Sequence, residues 1–154
     1  MEPPAQITPT KLADYLEVLT KAVFESGMSW KVIENKWPGF QEAFRGFDPD
    51  YVANMDPDTI DALTNDTRIV RNRRKIESTV HNAQTMLAIE QEFGSFGAYL
   101  DAKDGDFWGL VKDMRKRFKH VGDFGAFYFL YVVQRPVPDH EEFRAKLQEG
   151  AKKG

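Results

Sequence analysis

The chain has no cysteine among its 154 residues. Disulfides and thiolate metal sites are excluded, a reducing compartment is compatible with that composition, and the expected location is the cytoplasm. Long apolar runs are also missing. The richest stretch, FGAFYFLYVV at 124–133, is about half the ~18 residues a membrane span needs, so no membrane partner is expected. The opening MEPPAQITPT has neither a basic nor an apolar region and does not read as a secretory signal. An overall excess of positive charge is absent too. The net charge of −3 argues against a general nucleic-acid coat but leaves room for a local footprint.

What is present reads as a globular protein. Hydrophobic residues make up 42%, and 12 phenylalanines supply bulky core material for one domain spanning 1–154. The charge is unevenly placed. Arg68, Arg71, Arg73, Arg74 and Lys75 fall within RIVRNRRK, and Lys112, Arg115, Lys116, Arg117 and Lys119 within VKDMRKRFKH. These two blocks hold 10 of the 21 lysines and arginines, as an anion-binding face would, although solvated helix faces also carry such runs.

Helix signals dominate the chain. Thr8-Pro9 reads as a cap and first position, followed by Leu12, Leu16, Leu19 and Val23 at helical spacing up to Gly27. Ser29 reads as the cap of a second helix, with Pro38-Gly39 as an interruption before a short FQEAF helix. Asp48-Pro49 and Asp56-Pro57 are cap-plus-proline starts. A turn at Asp66-Thr67 leads to a long helix from about Val70 to Phe93, ended by Gly94. Ser95 caps a further helix, and FWGLVKDMRKRF forms another. FGAFYFLYVV is read as a buried helix because a lone strand would have no partner. A short charged helix, DHEEFRAKLQ, closes the chain before a frayed GAKKG. The fold class is all-α with many short helices.

Between Asp58 and Asn82 lies a helix, a tight turn and a longer helix with basic first turns. Free backbone N–H groups and a partial positive charge at a helix start suit a phosphate. The turn near Thr67–Ile69 is therefore a candidate clamp for a nucleic-acid phosphate backbone, with Arg68, Arg71, Arg73, Arg74 and Lys75 around it and Lys119 of the second basic block as a further candidate contact, independent of base sequence.

Four stretches in order, ESGMSW (25–30), FQEAFRGFDPDYVANM (40–55), IVRNRRKIESTVHNAQ (69–84) and FKHVGDFGAFYFLY…VPDH (118–140), resemble the 3-methyladenine DNA glycosylase I family. The resemblance covers roughly residues 20–140. It implies an all-α DNA glycosylase-like domain containing a helix-hairpin-helix, with the hairpin near 64–72 gripping the DNA backbone. It also implies base flipping and hydrolysis of the N-glycosidic bond of alkylated purines such as 3-methyladenine in double-stranded DNA, without a cofactor. No suitably placed lysine stands out as a Schiff-base nucleophile, so a monofunctional enzyme without strand cleavage is expected. The oligomeric state is not implied.

Trp30 matches the family's pocket tryptophan and is expected to stack the base, with a core aromatic as the plainer reading. The family's pocket glutamate falls at Ala22. The nearest carboxylate is Glu25, which shares a helix face with residue 22; it either takes over part of that work or is a structural or solvated residue. Asp123, in H-V-G-D, is a second candidate carboxylate but reads first as a helix cap. Tyr128 falls near a family pocket position and reads equally as core. The family's N-terminal segment of pocket aromatics and two zinc ligands has no counterpart in these residues. Only His140 matches a ligand, so no structural zinc is expected. His81 reads as structural and His120 as a phosphate contact. Ala22 and the missing aromatics also favour a non-catalytic relative that binds damaged DNA. A third reading, a protein-interaction domain on the same scaffold, would not need ten clustered cations.

Overall fold

The first helix takes its start from a carboxylate rather than from Thr8-Pro9. In this computed structural model, which describes residues 3–153 and side chains through 150, Asp14 Oδ2 accepts from the Thr10 and Lys11 backbone N–H groups at 2.8 and 3.3 Å. Helix α1 therefore runs Leu12–Glu25. Thr8 instead accepts from the Gln134 side chain at 3.0 Å, far along the chain. Leu16, Leu19 and Val23 are fully buried, as their spacing requires. Gly27, at φ +73°, turns the chain towards the next helix, a conformation that suits a residue without a β-carbon.

Helix α2 spans Trp30–Ala43 and passes straight through Pro38-Gly39. The expected interruption does not occur because tertiary contacts on both sides outweigh the missing N–H. On one side Trp37, Phe40, Phe44 and Phe47 form a stack with successive centroids 4.8–6.4 Å apart. On the other, Gly39 admits the carbonyl of Arg68, and a β-carbon there would run into that oxygen. The Lys36 ammonium also reaches the Thr67 carbonyl at 3.0 Å, so α2 grips the 64–72 connection twice. Gly39→Ala is expected to cost about 1–3 kcal/mol by overpacking. A denaturant melt reads that cost, and faster amide exchange in residues 64–72 reads the local loosening.

A 3-10 turn, Arg45–Phe47, leads to α3 (Pro49–Ala53) and α4 (Pro57–Leu63). Asp48 and Asp56 cap these two as expected, accepting from Asp50 N at 3.1 Å and Thr59 N at 2.8 Å. Helix α5 runs Arg73–Phe93, three residues shorter than expected at its start. Asn72 sets that start by accepting from Lys75 N at 3.1 Å, which leaves residues 67–72 as loop. Gly94, at φ +90°, ends it.

Serine and aspartate caps open α6 (Phe96–Asp101) and α7 (Phe107–Arg117). Helix α8 spans Asp123–Val132 and α9 spans His140–Lys153, so the closing helix continues into the stretch expected to fray, whose last residue, Gly154, lies outside the described residues. The apolar α8 is a helix but is not buried all round: Phe124 is 59% exposed. Among the described residues the fold is all-α. Helix α1 lies between α5 and α8, and α5 also packs on α3 and α6. Phe143 fastens α9 by packing, fully buried, against Phe107, Trp108, Phe124 and Phe127.

Candidate functional site

The end of α1 and the first two turns of α8 enclose a cavity of about 600 Å³, within the size range of small-molecule sites. Ala22, Glu25, Ser26 and Gly27 form one wall, and Gly122 to Gly125, Phe127, Tyr128 and Tyr131 the other, with His140 and Pro4 at the edge. Glu25, Asp123 and Tyr128 are thus brought together. Trp30 is not among the walls; it stands 50% exposed on the first turn of α2. The aromatic surface comes from α8 instead. Phe124, Phe127, Tyr128 and Tyr131 recur at i, i+3, i+4 and i+7, a stripe at helical spacing of which sequence reasoning singles out only Tyr128.

Burial, chiefly, pushes the Glu25 carboxyl up to about 7; the Lys21 ammonium opposes this and the Glu34 carboxylate adds to it. Lys21 and Glu34 are themselves paired at 2.5 Å, so neither is committed to Glu25. Burial raises the Tyr128 hydroxyl as well, aided by Glu25 and Glu34. Asp123 is different. Gly122 occupies the cap position, and Asp123 lies one residue inside α8, where a negative charge suits the helix's positive end. Its carboxylate pairs with Arg115 at 3.1 Å. Ala22, where the resemblance places a glutamate, is 6% exposed and contributes only a methyl group to the wall.

The cations sort into three groups. Arg68 is tied to Asp66 at 2.7 Å and Glu42 at 3.7 Å, and Arg73 to Asp61 and Glu77. Arg71 and Arg74 are exposed and have no ion-pair partner among the described residues. Lys75, expected at a DNA backbone, is 5% exposed and points inward. Its ammonium donates to the Phe24 carbonyl at 3.0 Å and the Ser26 carbonyl at 2.6 Å, the two groups that flank Glu25. A lysine so placed satisfies orphan carbonyls at the end of α1 and is not free for phosphate. Thr67 is exposed, with its carbonyl taken by Lys36.

Beyond α7, Asn82, 1% exposed, clamps the backbone of Lys119 with bonds of 2.8 and 3.1 Å. That clamp presents Lys119 and His120 beside Arg74 in a further hollow. His120 adopts φ +61°, lies 3.0 Å from Ser78 Oγ through Nδ1, and also lines the Glu25 cavity. Burial, with the charges of Arg74 and Lys75, holds its imidazole below the ordinary value. His81 has a structural setting, with Nε2 3.3 Å from the Arg117 carbonyl.

A family model described as methyladenine glycosylase matches residues 9–123, well over half of the chain. The chain belongs to the methyladenine glycosylase family. It is 34% identical over 76 residues to the DNA-3-methyladenine glycosylase of Haemophilus influenzae, covering 49% of this chain and 41% of that protein. It is 34% identical over 67 residues to DNA-3-methyladenine glycosylase 1 of Escherichia coli, covering 44% and 36%. The matches therefore span less than half the length of these curated relatives. Two solved structures extend the likeness. The 3-methyladenine DNA glycosylase I of Staphylococcus aureus superimposes with a TM-score of 0.75 at 26% identity, over 88% of each chain. A variant of a 3-methyladenine DNA glycosylase I, solved in complex with 3-methyladenine, does so with a TM-score of 0.75 at 28% identity, over 84% of this chain and 80% of that one.

The zinc site that the resemblance associates with this family does not fit these residues. Among the described residues no three histidine, cysteine, aspartate or glutamate side chains converge, and His140 stands at the cavity edge with Phe127 as its ring neighbour. Family membership and the α8 stripe together mark the Glu25 cavity as the candidate site.

Proposed function

We propose that the protein is a monofunctional DNA glycosylase, acting as one helical unit in the cytoplasm, that hydrolyses the N-glycosidic bond of alkylated purines such as 3-methyladenine in double-stranded DNA. The observation that carries this reading is Glu25, a half-buried carboxyl facing an aromatic wall in a chain of the methyladenine glycosylase family.

A stacked base cannot reach such a cavity, so the nucleotide is everted into it. A purine alkylated at N3 carries positive charge. The faces of the α8 aromatics attract a flat cation by about 0.5–2 kcal/mol each. They take the stacking role that sequence assigned to Trp30. Ionised Glu25 faces the cation and the positive charge that develops on the sugar as the bond breaks. The bonding pair leaves with the base and neutralises it, and water adds at the sugar carbon with loss of a proton. Asp123, paired with Arg115, contributes to the cavity wall rather than to the chemistry. Among the described residues no lysine lines the cavity, which supports hydrolysis over a Schiff-base route with strand cleavage. Arg71, Arg74 and Lys119 provide backbone contacts.

A second reading, a non-catalytic binder of damaged DNA, is favoured by Ala22. Chromatography of free base after incubation with a duplex containing 3-methyladenine separates the two. Released base is the expected result. Salt-sensitive DNA binding without release establishes the second reading, and neither release nor salt-sensitive binding sinks both.

A further inference from the structure

We propose that the cleft between α7 and α9 is a second phosphate track, which holds successive phosphodiesters of the DNA strand that carries the everted nucleotide. The proposal rests on the glycosylase reading for the occupant of the adjoining cavity.

The cleft has a volume of about 930 Å³. Lys112, Arg115 and Lys116 of α7 and Lys146 of α9 face it, above a floor that includes Trp108 and Phe118. Among the described residues the one acidic side chain in its walls is Asp123, and Arg115 already holds that carboxylate. Lys112, Lys116 and Lys146 are exposed and have no ion-pair partner among the described residues. Lys112 and Lys116 are also i,i+4 neighbours, where like charges cost an isolated helix a few tenths of a kcal/mol. A chain of net charge −3 thus gathers unmatched cations on two facing helices. That arrangement favours a polyanion, whose binding releases condensed counterions.

Continuity with the cavity selects the anion. The cleft and the Glu25 cavity share Ser26, His120, Gly122 and Asp123 as walls. His120 also lines the hollow of Arg74 and Lys119. A band of cations therefore runs from Arg74 and Lys119, across the His120 wall that joins the hollows, to Lys116 and Lys146. A single strand fits this band, with its base in the aromatic cavity and phosphates to either side. A groove of positive charge beside aromatic faces is the general design for tracking one strand. An acidic protein segment would leave the aromatic cavity without an occupant.

The test uses the full chain and a short duplex with one tetrahydrofuran abasic-site analogue, with affinity measured by fluorescence anisotropy across a salt series. The double variant Lys116→Gln/Lys146→Gln removes one cation from each wall. Its slope of log affinity against log salt is expected to be shallower by about two, at ~0.9 per phosphate contact. Affinity near 0.1 M salt is expected to fall on the order of 10–100-fold. Lys11→Gln/Lys103→Gln, two exposed lysines elsewhere, is expected to leave the slope unchanged. An unchanged slope in the cleft variant overturns the proposal, and so does an equal loss in the control. The two readings fail separately. A shallower slope in the cleft variant, with no methyladenine released by the wild-type chain, keeps the track and loses the glycosylase reading. Release of base with the cleft variant at wild-type slope does the reverse.

Discussion

Glu25→Gln is expected to lower release of 3-methyladenine from alkylated duplex by about 10²–10³-fold at pH 8, the loss typical when one preorganised electrostatic group is removed from a dry site. Glutamine keeps the shape of the side chain and loses only the charge that faces the cationic purine and the sugar. The effect should depend on pH in a way that a structural role would not reproduce. Glu25 titrates at about 7, whereas the charge of an N3-alkylated base is fixed. Wild-type kcat/KM, which reports the free enzyme, should therefore rise with pH through about 7 and level off above it. The glutamine variant should be flat, and the two should converge at about pH 4–5, two to three units below that inflection. Equal rates at pH 8 would show that Glu25 has no part in the chemistry and return the question to Ala22.

The same substitution should make the protein more stable. Between the unfolded value of 4.5 and about 7, the folded chain retains a Glu25 proton that the unfolded chain has released. Stability from this group is full below the lower value, declines as pH rises through the window, and is lost above it. Glu25 is only half-buried and solvent screens it, so the cost at pH 8 is on the order of 1 kcal/mol rather than the full shift. A rise of about 2–4 °C in Tm is expected for the variant at pH 8, with none at pH 4. Gain of stability with loss of turnover is the pattern expected where a site holds a charge that the fold would prefer to exclude.

Local chemistry was legible in the sequence and distant chemistry was not. Asp48, Asp56, Ser95 and Gly94 mark helix ends because the atoms they bond lie within a few residues. Glu25 could be found by its helical register with Ala22, and both prove to line one cavity. Pro38-Gly39 was misread for the opposite reason. The glycine is there to admit the Arg68 carbonyl, 29 positions away by the numbering, and nothing in the local sequence shows that approach. The charge block at 68–75 misled in the same way. Arg71, Arg74 and Lys75 look alike in sequence, yet the last has its partners 51 and 49 residues upstream. Trp30 carried a motif match, but where its ring sits depends on how α2 packs, and the structure leaves it outside the walls.

Lys75→Met is expected to cost both stability and turnover. The Lys75 ammonium bonds the carbonyls of Phe24 and Ser26, so α5 holds α1 on both sides of Glu25. Lys75→Met keeps the length of the side chain and removes both bonds. The buried Phe24 carbonyl and the part-buried Ser26 carbonyl then lose their partner, and hydrogen bonds to charged groups contribute about 1.5–3 kcal/mol each. Taking incomplete relaxation into account, the expected loss is about 2–4 kcal/mol, or roughly 5–15 °C in Tm. Because the lysine acts by positioning Glu25, base release at a temperature where the variant is folded should fall through kcat, and the kcat/KM inflection near pH 7 should move. The salt dependence of DNA binding should stay at the wild-type slope, whereas Arg74→Ala should reduce it by about one. A Lys75→Met protein with wild-type stability and a shallower slope would place that lysine at the DNA after all and detach it from Glu25.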